Sequence, residues 1–303
     1  MTNTYILPEW NRLLGEIKDN RGIVFLLGAT HSGKSTLTKF LAETLSREGE
    51  KVALLDGDIG QSIFGPPTTL SLAFLPNPTE SLGAIQPHFR YFIGSNTPSG
   101  HFLPMIVGLK KLVDKAFQFG YHITIIDTTG FVSGGAAVEL KRRKLELLQP
   151  RHIVALQLNR EVEDILHGLP PGPAHTIHRL PVSPKARIKS PEERQAYRQK
   201  KYAEYFHDLK EYEFELKKVR LWGRHYLPES NLANQVAVPG LLIGLNDAEN
   251  FSLAIGILQE LNMKEGKIRL LAPPTNQKEV QILQFGVIRI TPLGKDQPVA
   301  FGQ

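Results

Sequence analysis

Gly28-Ala-Thr-His-Ser-Gly33-Lys34-Ser35-Thr36 fits the pattern G-x-x-x-x-G-K-[ST], and its flanks decide the fold. Ile23–Leu27 before it is a continuous apolar run, and Leu37, Phe40, Leu41, Thr44 and Leu45 after it carry a helical period. Strand, glycine-rich loop, helix is the arrangement of a phosphate loop. The glycines let the backbone wrap closely around a phosphate chain, and the loop N–H groups and helix N-terminus face the anion. Gly28, Thr30, His31, Ser32, Gly33, Lys34, Ser35 and Thr36 are therefore the expected nucleotide-binding positions. Lys34 is placed to reach the β- and γ-phosphates, and the Ser35 hydroxyl to ligate Mg²⁺. The loop says what donates a phosphate, not what receives it.

Beyond the loop, apolar runs recur at Val52–Leu55, Ile123–Ile126, Ile153–Leu158 and Leu241–Leu245. Helical patterns lie between them at Ser35–Ser46, Pro104–Phe119, Ala136–Leu148 and Phe251–Leu261. Continuous apolar strands alternating with helices predict an α/β fold of the P-loop NTPase type, with a mostly parallel sheet covered by helices on both faces. Ligands then sit at the carboxyl ends of the strands, where residues 28–36, 56–61 and 127–131 fall. Residues 60–100 hold few helical signals, and 168–189 are rich in proline. Ser190-Pro191-Glu192-Glu193 opens a long charged helix with a capping box, expected to run to about Lys218. These features divide the chain into residues 1–215, with a helical lid at about 185–215, and a smaller C-terminal α+β region at 216–303.

The chain has no cysteine, so disulfide and thiolate chemistry are excluded and a reducing compartment is expected. The N-terminus lacks a basic segment followed by an apolar run, and no stretch is long enough to span a bilayer. A cytoplasmic protein with no membrane partner is the reading. The formal net charge of +6 suits a polyanionic partner. Basic residues cluster at Lys141-Arg-Arg-Lys144, at Lys185-Ala-Arg187-Ile-Lys189, and through Arg194, Arg198, Lys200 and Lys201.

The second strand ends in Asp56-Gly57-Asp58-Ile59-Gly60-Gln61. Two carboxylates at a strand tip beside a phosphate loop suggest metal and proton chemistry. One is placed to hold Mg²⁺, directly or through water, and the other to accept the proton of an incoming hydroxyl. The third strand ends Asp127-Thr128-Thr129-Gly130-Phe131, where Asp127 resembles a Walker B acid. D-x-x-G is also a feature of regulatory GTPases, which expect an N-K-x-D guanine-reading motif. Asn159-Arg-Glu-Val162 lacks the acid and Asn246-Asp247 lacks the spacing. Arg194 and Arg198 are one turn apart on the charged helix, and an arginine pair on a lid can stabilise charge in a phosphoryl transition state.

Taken in order, Gly28–Thr36, Asp56-x-Asp58-x-Gly60-Gln61, Tyr91-Phe-Ile-Gly94-Ser-Asn-Thr97-Pro98, Thr129-Gly130-Phe131 and Arg194-x-x-x-Arg198 resemble the polynucleotide 5′-hydroxyl kinase family. That family includes a kinase subunit of the eukaryotic pre-mRNA cleavage machinery and the nucleolar kinases of ribosomal-RNA processing. The resemblance covers about residues 8–215, with a weaker echo at 241–247. It implies that Lys34 and Ser35 bind ATP phosphates and Mg²⁺; the carboxylates at the strand tips add Asp56 and Asp127 to Ser35 as expected metal-site residues. It implies that Asp58 is the general base, and that Gln61, Thr97, Thr129, Gly130 and Phe131 face the acceptor, with Thr97 and Phe131 clasping its terminal nucleotide. Lys34, Asp58, Arg194 and Arg198 form the expected catalytic set. Phe131 stands where the family usually has Trp, and still offers a flat face for a base. About two dozen residues precede the first strand, which implies a compact form without the N-terminal domain of the eukaryotic relatives.

The expected activity is transfer of the γ-phosphate of ATP, GTP or another NTP to a 5′-hydroxyl end of RNA or DNA. The rivals are a regulatory or transport-type NTPase, a nucleotide-binding RNA scaffold without kinase activity, and a small-molecule kinase.

Overall fold

The computed structural model describes residues 6–76, 82, 85–169, 175–184, 186, 189–223, 238–291 and 294–299. Lys185 and Arg187, and with them the start of the expected lid, lie outside the described residues.

Strand β1 (Ile23–Gly28) is buried along its whole length, as a central parallel strand covered on both faces must be. It pairs in parallel with β5 (Ile123–Thr128) on one side and β6 (His152–Gln157) on the other. Beyond β5 lies β2 (Val52–Gly57), then β3 (Thr69–Phe74) and β4 (Phe89–Phe92); beyond β6 lies β7 (Thr176–Pro181). The sheet order is therefore β4-β3-β2-β5-β1-β6-β7, with antiparallel pairing only at β2–β3 and β3–β4. Helices α1 (Pro8–Asp19), α2 (Lys34–Arg47), α3 (Phe102–Gln118) and α4 (Gly135–Leu148) bury their apolar stripes on it. In α1 that stripe is Trp10, Leu13, Leu14 and Ile17, the i, i+3, i+4, i+7 spacing of one helix face. Two clusters of buried side chains make the core. A short helix α5 (Glu163–His167) follows β6.

The charged helix α6 (Pro191–Tyr205) starts as read: Ser190 accepts from the Glu193 N–H, and the Glu193 side chain closes the box on the Ser190 N–H. It stops at Tyr205, well before Lys218. The chain then forms β8 (Lys210–Glu215), where alternating Tyr212 and Phe214 are buried. This is a period of two, and β8 pairs with β12 (Lys267–Ala272) of a second sheet.

The rest of that sheet is β9 (Arg220–Trp222), β10 (Leu241–Asn246), β11 (Ser252–Asn262), β13 (Ile282–Ile290) and β14 (Asp296–Pro298). Its order is β14-β13-β10-β11-β12-β8, with β9 parallel on β13 and the other pairings antiparallel. The helix expected at Phe251–Leu261 is thus strand β11. Antiparallel partners on both sides supply its backbone hydrogen bonds, and a bulge between Leu258 and Glu260 interrupts its alternation. Among the described residues the C-terminal region is built of strands and two single-turn 3₁₀ segments rather than α+β.

The two sheets meet at Gly94, whose carbonyl accepts from Val287 N–H at 2.8 Å. Gly94 sits at φ +76°, and a Cβ there would meet Gly286 Cα at 2.6 Å, so no larger residue fits. Phe92, Tyr202, Leu242, Ile255 and Ile288 form a small core joining both sheets to α6. No helix among the described residues is long and apolar enough to cross a membrane.

Candidate active site

The carboxyl ends of β1, β2 and β5 open onto a cleft of about 400 Å³. Thr30, His31, Gly33, Lys34, Ser35 and Thr36 form its floor, and Asp58, Gln61, Gly130, Lys189 and Tyr197 its walls. The loop turns through two left-handed residues, His31 at φ +70° and Gly33 at φ +89°. Lys34 is 6% exposed and its amine donates to the Gly28 and Ala29 carbonyls at 2.9 and 2.8 Å. Burial pushes that amine below the ordinary lysine value, and the Asp127 and Asp58 carboxylates pull it back. Gly28 and Ser32 pack tightly together and do not line the cleft.

The two carboxylates of the D-x-D pair part company. Asp58 is half-buried at the cleft wall; its Oδ1 accepts the Gly60 and Gln61 N–H groups at 3.0 Å each, leaving Oδ2 without a hydrogen bond among the described residues. Asp56 is fully buried and turned away from the cleft. It accepts the N–H groups of Asp58, Ile63 and Phe64 and the Ser62 hydroxyl, and so ties the 58–64 turn to β2. Burial raises it to about 8, the Ser62 hydroxyl opposing. Its expected place at a metal is not what the fold uses it for. Replacing Asp56 by Ala leaves three backbone N–H groups without this acceptor, two of them partly buried, while the Ser62 hydroxyl keeps the Phe64 carbonyl; a buried unsatisfied donor costs about 1–3 kcal/mol. The expected loss is about 3 kcal/mol in chemical denaturation, and a loss under about 1 kcal/mol contradicts this role.

Asp127 lies beneath the loop. Its Oδ2 accepts the Ser35 hydroxyl at 2.6 Å, while its Oδ1 is buried with no partner. Burial raises Asp127 to about 6, against the pull of Lys34 and Ser35. A hydroxyl and a carboxylate with an unpartnered oxygen are the hard oxygen donors that Mg²⁺ takes alongside phosphate and water. Ser35 and Asp127 therefore fit a magnesium site that the phosphate loop implies; Asp56 does not.

Gly130 approaches the phosphate loop so closely that a Cβ would meet the Thr30 nitrogen at 2.4 Å. Thr129 is buried behind it, and Phe131 is half-buried with its ring 6.1 Å from that of Phe102. Thr97 is exposed, its own N–H and carbonyl both bonded to the Ser95 hydroxyl. Neither Thr97 nor Phe131 lines the 400 Å³ cleft; they flank it on the side of α3 and the Asn96 carbonyl, against which Gly60 packs.

Helix α6 covers the cleft. Gln61 donates to the Arg194 carbonyl at 3.2 Å, Tyr197 to the Ser62 carbonyl at 2.7 Å, and Lys201 to the Ile63 carbonyl at 3.1 Å. The arginine pair separates like the aspartates. Arg194 lies near His31, whose imidazole is held below its ordinary value by burial and by the charges of Arg194, Lys189 and Lys34. Arg198 is instead ion-paired at 2.8 Å with Asp296, a buried acid on β14 that also accepts from Asn96. In this geometry it braces the lid against the second sheet.

The basic run Lys141-Arg-Arg-Lys144 does not offer its two lysines to a polyanionic partner. Both are fully buried on α4. The Lys141 amine donates to the Thr128 hydroxyl and the Thr129 carbonyl, each at 2.7 Å, and Thr128 donates on to the Leu26 carbonyl of β1. Burial, then the charges of Lys144 and Lys34, hold Lys141 well below the ordinary lysine value. The signal was legible: Ala137, Leu140, Lys141, Lys144, Leu145 and Leu148 follow the inward helical period. No signal in the local sequence announced Tyr197 at the cleft wall or Asp296 behind Arg198.

A family model described as mRNA cleavage and polyadenylation factor CLP1 P-loop matches residues 28–208. Curated relatives include the polyribonucleotide 5′-hydroxyl-kinase of Pyrococcus abyssi, 33% identical across 90% of this chain and 89% of its own. Another is that of Methanocaldococcus jannaschii, 32% identical across 90% and 88%. Among solved structures, a wild-type Clp1p–Pcf11p complex superposes with a TM-score of 0.68 at 14% identity, covering 93% of this chain and 79% of that one.

Proposed function

This chain belongs to the CLP1 P-loop family, and on that premise we propose that it is a polyribonucleotide 5′-hydroxyl kinase, a transferase that moves the γ-phosphoryl of ATP to the 5′-OH end of RNA. The observation that carries the reading is Asp58 Oδ2: a carboxylate oxygen free to take a proton, on the wall of the cleft that the phosphate loop floors. A carboxylate there can activate water as well as an alcohol; what weighs against a regulatory GTPase is the absence of the guanine-reading motif from the sequence.

In the proposed reaction the 5′-oxygen attacks the γ-phosphorus in line. The bond from that phosphorus to the β–γ bridging oxygen breaks, ADP leaves, and the 5′-OH proton passes to Asp58 Oδ2. Catalysis of this kind is positioning plus charge stabilisation. Loop N–H groups and the Lys34 ammonium hold the β- and γ-phosphates, and Arg194 closes over them from α6. Ser35 and Asp127 would hold Mg²⁺, which would neutralise charge on the phosphate oxygens. Gln61 joins the Asp58 turn to the lid through the Arg194 carbonyl. Arg198 acts through its pair with Asp296, as a positioning residue. Lys141 fixes the Thr129–Phe131 segment, so Phe131 can present its face to the terminal base beside Thr97.

Offering γ-labelled ATP to RNA with a 5′-OH end tests the proposal: label appears at that end and is absent with 5′-phosphorylated RNA. No labelled RNA under any nucleotide triphosphate contradicts it. Base stacking on an aromatic ring is worth roughly 1–3 kcal/mol, so Phe131→Ala raises the RNA KM about tenfold and Phe131→Trp does not. Equal KM values for the two variants contradict the clasp.

A further inference from the structure

A second groove, of about 870 Å³, lies between α3, β4 and the second sheet. That is toward the upper end of the roughly 300–1,000 Å³ typical of ligand sites. It begins where the acceptor clasp ends, since Phe102 forms part of its wall and also packs against Phe131. Four aromatic side chains contribute to its lining, Tyr91, Phe102, Trp222 and Phe285; Tyr91 and Phe285 are largely buried, and Trp222 is 56% exposed. No aspartate or glutamate lines it. Its charge comes from Lys111, whose ammonium donates to the Glu249 carbonyl and sits 4.8 Å from the Phe251 ring centroid. Lys111 makes no ion pair among the described residues, and the carboxylate of Glu249 pairs instead with Lys115 at 3.1 Å.

Flat rings beside a cation, with no acid in the lining, suit an unpaired polynucleotide strand. They are a poor match for a peptide carrying positive charge. Resting on the kinase reading of the adjoining cleft, we propose that this groove holds the nucleotides that follow the 5′-terminal one in a single-stranded RNA acceptor. Their bases stack on Trp222 and Phe102, and their phosphates pass Lys111. The kinase would then prefer ends with an unpaired overhang of several nucleotides, because a duplex cannot splay its bases onto these rings.

Two measurements decide it. The chain has two tryptophans, and Trp10 is 2% exposed, so quenchable emission reports on Trp222. Titration with a 5′-OH RNA pentanucleotide is expected to quench it, whether or not phosphate is transferred. In kinetics with RNA acceptors of two and five nucleotides, the wild-type KM is expected to be about tenfold lower for the longer one. Trp222→Ala should raise the pentanucleotide KM about tenfold, so that the ratio of the two KM values collapses toward one. Unquenched emission, a KM indifferent to length, or an unaltered ratio in Trp222→Ala each overturns the groove assignment. Loss of transfer to every acceptor alongside normal quenching instead overturns the kinase reading and leaves the groove standing.

Discussion

Asp58→Asn is expected to lower kcat for phosphoryl transfer about a thousandfold, within the roughly 10²–10⁴ that a positioned general base contributes. Asparagine keeps the size of the side chain, and its carbonyl can still accept the Gly60 and Gln61 N–H groups that Asp58 Oδ1 holds at 3.0 Å. The turn therefore survives. What disappears is the oxygen able to take the 5′-OH proton. Nucleotide affinity should change little, because the phosphates are held by the loop. Single-turnover transfer, compared with equilibrium nucleotide binding, separates the two effects. A variant retaining more than about a tenth of the wild-type rate removes Asp58 from the role of base.

Lys34→Met is expected to fail earlier in the cycle. The lysine is 6% exposed, and its ammonium donates to two loop carbonyls and feels the charges of Asp127 and Asp58. Methionine fills the same channel without charge or donors. Losing one preorganised donor to developing charge costs roughly 10²–10³ in kcat, and the ground-state hold on the β- and γ-phosphates goes with it. The checkable sign is thermal: nucleotide at 100 times its dissociation constant stabilises the wild type by about 2.7 kcal/mol. The corresponding rise in melting temperature should nearly vanish in Lys34→Met. An unaltered thermal shift with normal transfer contradicts the assignment.

The phosphate loop and the four buried parallel strands around it were legible because their signals are local. Fixed spacing reports backbone geometry, and a run such as Ile123–Ile126 has no face to leave in water. The misreadings arise where a distant partner decides. Phe251–Leu261 suits a helical period as well as a strand, and β10 and β12 settle it as the strand Ser252–Asn262 by pairing on both edges. Asp56 and Asp58 look equivalent in D-x-D, yet the turn that follows folds back on Asp56 and leaves Asp58 at the cleft. Arg198 looks like a second lid arginine until Asp296, 98 positions later, takes its guanidinium. Lys141 and Lys144 read as part of a basic cluster because lysine is rarely buried; their place on the inward stripe of α4 was the stronger signal.

A two-substrate cleft is tested most directly by the partition of the γ-phosphate. With ATP, Mg²⁺ and saturating 5′-OH RNA, labelled phosphate should appear almost entirely as 5′-phosphorylated RNA. Release as inorganic phosphate should be slow and unaffected by 5′-phosphorylated RNA. Rapid release of inorganic phosphate at the same rate with and without RNA, with no labelled end, would show a hydrolase and contradict the assignment of the acceptor.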